Sequence, residues 1–114
     1  MSISAFFEPS GSVASPRTSR ALKPQSAVAH YNLGTALTVT RRLDEAAGEY
    51  REALRIDPLY ANAHNNLGNV LLAQRQFDQA IREFEEVVRL QPDSAPARKN
   101  LAAAYTAAGR QPPR

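Results

Sequence analysis

No cysteine occurs among the 114 residues, which excludes disulfides, thiolate metal sites and thiol catalysis. No run of about 18 apolar residues is present, so no helix is expected to cross a membrane. The N-terminus lacks the apolar stretch of about 7–15 residues that a secretory signal carries, and a cytoplasmic location is expected. There is no phosphate-binding glycine loop, no nucleophile–base pair and no carboxylate pair in an apolar setting. Nor is one sign of charge in large excess: 14 basic residues face 11 acidic ones, too mild a balance to announce a nucleic-acid binder. A length of 114 residues allows one domain.

The charge that is present is segregated. The net is +2 through Lys23, −1 over Arg41–Asp57, −2 over Arg75–Asp93 and +4 over Arg98–Arg114. No Lys, Arg, Asp or Glu lies between Gln25 and Thr40, nor between Leu59 and Gln74.

Beneath this pattern runs a repeat of 34 residues. Gly34 returns as Gly68, Leu33 as Leu67 and Leu101, Ala46 as Ala80, and Tyr50 as Phe84; Pro24, Pro58 and Pro92 mark one joint three times. A period of this length signals stacked helical hairpins. These residues resemble the tetratricopeptide repeat: a small residue in the first helix, a small residue and then an aromatic in the second, and a closing proline. Gly34, Ala46, Tyr50 and Pro58 match in one copy, and Gly68, Ala80, Phe84 and Pro92 in the next. The resemblance covers roughly Gln25–Gly109 and implies an all-α solenoid of antiparallel hairpins acting as a non-enzymatic protein-interaction module.

Residues 1–23 are rich in Ser, Pro and Gly without a helical period, and read as a disordered leader. The repeat domain is placed at 24–109 and a disordered tail at 110–114. The first helix is expected from Ser26, as its N-cap, to Thr40, burying Leu33, Gly34 and Leu37. Arg41 and Arg42 make the turn, and Asp44 is expected to cap the second helix and meet its dipole. That helix carries Leu43, Ala46, Ala47, Tyr50, Ala53 and Leu54 on one face, repeated as Phe77, Ala80, Ile81, Phe84, Val87 and Val88. Gly34 and Gly68, each costing a helix about 1 kcal/mol relative to Ala, are expected to admit the partner helix at Ala46 and Ala80. Pro58 and Pro92 stop the second helices. The third copy, Ala95–Gly109, is a first helix alone, so five helices are expected. Arg82/Glu86 and Glu85/Arg89 are spaced for i,i+4 pairing on a solvated face.

In the resembled family the first helices line a concave groove that binds peptides. Placed there are Val28, Tyr31, Asn32 and Thr35; Asn62, Asn65, Asn66 and Asn69; and Pro96, Lys99, Asn100 and Ala103. Asn32, Asn66 and Asn100 share one repeat position, although asparagine is an indifferent helix former. An amide offers one acceptor and two donor hydrogens, enough to pair with a peptide backbone whatever its side chains. With helices about 8–10 Å apart, three of them span about six extended residues at ~3.3 Å each. The arrangement resembles the asparagine ladder of O-linked N-acetylglucosamine transferases. The other reading is that each amide bonds the neighbouring helix and keeps the stack in register. The clamp by which related repeats grip chaperone tails, in the order Lys, Asn, Asn, Lys, Arg, has here Tyr31, Thr35, Asn66, Pro96 and Asn100, so only Asn66 matches.

His30 and His64 lie one repeat apart, without a third ligand at matching spacing, and no metal or cofactor is expected. The function expected is therefore capture of an extended segment of a protein partner. Two alternatives stand: the repeat portion of a larger enzyme or secretion apparatus, and an electrostatic binder of nucleic acid or membrane surface through the basic ends. Self-association is expected through the closing helix, whose outer flank should expose some of Leu101, Ala104, Tyr105 and Ala108, with Phe6–Phe7 of the leader as a rival occupant.

Overall fold

A computed structural model describes residues 17–111. They form five helices: α1 (Arg17–Val39), α2 (Leu43–Ile56), α3 (Ala61–Ala73), α4 (Phe77–Leu90) and α5 (Ala95–Ala107). Neighbours in sequence pack as neighbours in space, and α1 also touches α3 as α3 touches α5. Each second helix, α2 or α4, is thus held between two first helices, as the 34-residue period requires. The core runs through the stack as Ala46, Tyr50, Leu67, Leu71, Ala80, Phe84 and Ala104. No helix among the described residues is long and apolar enough to cross a membrane.

Three first helices end alike. Arg41, Arg75 and Gly109 adopt positive φ, at 65°, 63° and 73°. The next amide in each case reaches back to the helix: Arg42 to the Leu37 carbonyl, Gln76 to Leu71 and Arg110 to Tyr105. This left-handed cap satisfies carbonyls that the helix end leaves open. It needs a single residue at positive φ, usually glycine, and here arginine fills the place twice.

Several local expectations are corrected. The first helix begins at Arg17, so Ser26 is an interior residue rather than its cap and Pro24 lies inside the helix rather than at a joint. Arg, Ala, Leu and Lys around Pro24 are good helix formers, and among the described residues no second helix precedes it to be closed. The remaining leader residues, Phe6 and Phe7 among them, and residues 112–114 lie outside the described residues. The N-caps of α2 and α4 are Arg42 and Gln76, neither of whose side chains caps the helix backbone. Asp44 lies in the first turn, where it meets the dipole but does not cap. Arg89 pairs with Glu86, three residues back, while the Tyr105 hydroxyl donates to Glu85.

The atoms nearest the two helix glycines belong to the aromatics rather than to the alanines. A Cβ on Gly34 would meet the Tyr50 ring at 2.8 Å, and one on Gly68 the Phe84 ring at 2.7 Å. The recurring small residue makes room for the recurring aromatic.

Exposure at the two ends of the stack follows the neighbouring helices. Ala104 and Tyr105 are buried and Leu101 and Ala108 are half-buried, since α4 and the hydroxyl bond to Glu85 hold Tyr105 inward. Leu33, expected in the core, is 48% exposed. Its equivalent Leu67 is covered because α2 precedes α3; nothing among the described residues precedes α1.

Candidate functional site

The first helices stand side by side and present one continuous face. Val28, Asn32, Thr35, Asn62, Asn69, Pro96, Lys99 and Ala103 are exposed on it, while Tyr31, Asn65, Asn66 and Asn100 are half-buried. The helical spacing explains this division: residues one turn apart share the face, and those nearest the adjoining helix sink into the seam.

The sunken amides hold the repeats together. Asn66 Nδ2 donates to the hydroxyls of Tyr31 at 3.1 Å and Tyr50 at 3.3 Å. Asn100 Nδ2 donates to Asn65 Oδ1 at 2.9 Å. Both bonds to the preceding first helix join positions 35 apart, so one clasp is used at both seams. The amides are only partly spent by it. Asn66 has used both donor hydrogens and kept its acceptor, Asn65 has used its acceptor and kept its donors, and Asn100 has kept an acceptor and one hydrogen. Donors and acceptors therefore remain along the face for a backbone laid over it.

At the first seam the rings add a wall that only the structure reveals. Tyr31 stacks on Tyr60 with centroids 5.0 Å apart and meets Tyr50 in a tilted contact at 5.8 Å. The Tyr50 hydroxyl also lies 3.1 Å from Thr35 Oγ1. Burial pushes the Tyr60 phenol up, with Tyr31 and Asp57 adding to the shift. Tyr60 stands where the other copies have Ser26 and Ser94, and that departure from the repeat was its only trace in the sequence.

The histidines serve the hairpins. His30 Nδ1 lies 2.6 Å from Glu49, and His64 Nδ1 lies 2.7 Å from Glu83. His64 Nε2 faces the Pro58 carbonyl at 2.9 Å. The Glu83 carboxylate holds the His64 imidazole above its usual range, with the Pro58 carbonyl and Glu86 helping and burial opposing. Glu49 and Glu83 recur at the same 34-residue offset as the histidines, a signal present in the sequence but not read there.

Two surface clefts of about 370 Å³ each lie at the turns, one lined by Arg41–Glu45 with Gln74, the other by Arg75–Gln79 with Ala108 and Arg110. Their linings shift by one repeat, so they belong to the architecture of the stack.

A tetratricopeptide-repeat family model matches residues 42–75, and a second matches residues 61–94. Residues 42–94 carry tetratricopeptide repeats. Two crystal structures of MamA are similar to it: one at 28% identity and a TM-score of 0.72, over 78% of this chain and 49% of that one; the other at 28% and 0.71, over 78% and 52%. The chain thus spans about half the length of these neighbours. No curated protein matches the sequence. The tetratricopeptide repeats support a protein–protein interaction scaffold.

Proposed function

We propose that this chain is a non-enzymatic scaffold that binds an extended segment of a protein partner across the face of α1, α3 and α5. The observation that carries this reading is the exposed, uncharged polar strip of Asn32, Asn62 and Asn69 beside amides whose hydrogen-bonding capacity the clasp leaves half used. A strip of this kind reads backbone more than side chain, so the partner is selected by an extended conformation. The half coverage of the MamA chains supports the same surface working within a longer repeat array. Cytoplasmic location and self-association through α5 are carried as parts of the proposal; subcellular fractionation reads the first, and sedimentation over a wide concentration range the second.

The test compares proteins retained by the intact chain with those retained by an Asn62→Ala/Asn69→Ala form. Both residues are exposed, so stability should hold while capture falls about tenfold, the effect of losing roughly 1.4 kcal/mol over two hydrogen bonds. Groove capture should respond weakly to salt, whereas binding through the basic ends would fall steeply with it. Undiminished capture by the double variant, or capture abolished by moderate salt, would overturn the proposal.

A further inference from the structure

The uncovered surface at the start of the stack has a definite shape. Along α3, Ala63, Leu67 and Val70 are buried at 0%, 2% and 1% exposure, in the seam against α2. One repeat later, Ala97 and Ala104 are buried and Leu101 half-buried in the seam against α4. The same positions on α1 are Ala29, Leu33 and Ala36, and all three are exposed. Val28 and Val39, 49% and 77% exposed, edge this strip at helical spacing. With no charge from Gln25 to Thr40, the strip is uncharged throughout. The fold has built a seat for a neighbouring segment, and the described residues fill it at the later seams but not here.

We propose that the segment preceding α1 in this chain lies back along the helix and seats Phe6 and Phe7 on the Ala29–Leu33–Ala36 strip. Reach supports it. Leu33 is about 24 Å along the helix from Arg17 at ~1.5 Å per residue. Phe6 and Phe7 precede Arg17 by a length of chain that covers up to about 33 Å when extended and much less when coiled, which brackets the strip. Pro16, directly before the helix, suits the reversal that this path requires. Ile3 and Val13 add apolar side chains to either side of the phenylalanines, and Glu8 is the only acid in the segment. A second copy of the chain is a poorer occupant, because the strip offers a handful of side chains against the roughly 20–30 residues a side of stable complexes. A tethered segment gains from its high effective concentration and needs no such area.

The absence of cysteine makes the test direct. A nitroxide spin label on the single cysteine of full-length Ser4→Cys protein is read through methyl and amide signals of the folded chain. The Leu33 and Val39 methyl signals should be lost, and should return in a Ser4→Cys form that also carries Phe6→Ser and Phe7→Ser. A mixture of isotope-labelled chain without the nitroxide and nitroxide-labelled chain without isotope should leave them intact. Unchanged Leu33 signals would overturn the proposal. So would equal losses in the mixture, which would make a second copy the occupant, or losses centred on Asn62 and Asn69, which would place the leader in the groove.

Discussion

Gly68→Leu is expected to remove most of the structure of the second hairpin, and Gly68→Ala to weaken it in spite of alanine's better helix propensity. Two effects of opposite sign compete at this position. Replacing glycine by alanine inside a helix gains about 1 kcal/mol. Against this, the new Cβ would lie 2.7 Å from the Phe84 ring. Phe84 is 1% exposed, so its ring has no open space into which to swing. Overpacking a filled core typically costs about 1–3 kcal/mol, which outweighs the propensity gain for alanine. Leucine adds further carbons to the same place, forces α3 and α4 apart, and should reach or exceed the upper end of that range. For a small domain with stability of about 5–15 kcal/mol at most, this is a large fraction. Gly48 provides the contrast, because nothing lies within 4 Å of a Cβ placed there. Gly48→Ala should therefore raise stability by about 0.5–1 kcal/mol. Urea midpoints of the three variants decide the matter, and adding Phe84→Leu to Gly68→Ala should recover part of the loss. A Gly68→Leu protein that melts like the parent would show that the ring does not fill the space opposite the glycine.

The period of 34 made the stack legible before any coordinates, since each copy confirms the phase of the others. The five helices, the turns at Arg41 and Arg75, and the buried faces of α2 and α4 all follow from positions that recur together. What the period does not encode is which side chain reaches which. Gly68 recurs with both Ala80 and Phe84, and spacing alone does not choose between them; side-chain length does, because the long ring projects farthest and comes nearest the space over the glycine. Burial at an end of the stack is likewise a property of the neighbouring helix. Leu33 and Leu67 are the same residue in the same register, yet one is exposed and the other covered. The asparagines were legible as a recurring set, but the partner of each amide was not. Asn66 bonds tyrosine hydroxyls that occur at one seam only, and Asn100 bonds a second asparagine. The helical run from Arg17 was obscured by Pro24, whose usual meaning in this repeat is the end of a second helix.

Raising the pH from about 6 to about 9 is expected to destabilise the second hairpin through His64. The imidazole is placed to donate from both ring nitrogens, to the Glu83 carboxylate and to the Pro58 carbonyl, which suits the protonated ring. Glu83 accordingly lifts its pKa above the ordinary imidazole value of about 6.5. A group whose pKa is higher folded than unfolded stabilises fully below its unfolded value and loses that contribution as pH rises through its folded one. The window therefore opens near 6.5 and extends upward. His64 is only 12% exposed at its side chain, so solvent screens the pair less than it would a surface ion pair. Hydrogen bonds to charged groups contribute about 1.5–3 kcal/mol, and Glu83→Gln should cost an amount in that range at the acid end of the window. The same variant should flatten the pH dependence, because an amide cannot distinguish the charged ring from the neutral one as a carboxylate does. His30 and its bond to Glu49 are present in both proteins, so the difference between their urea midpoints across the pH series isolates His64. Parallel curves, with Glu83→Gln losing stability as steeply as the parent, would mean that the clasp between α3 and α4 does not depend on the proton.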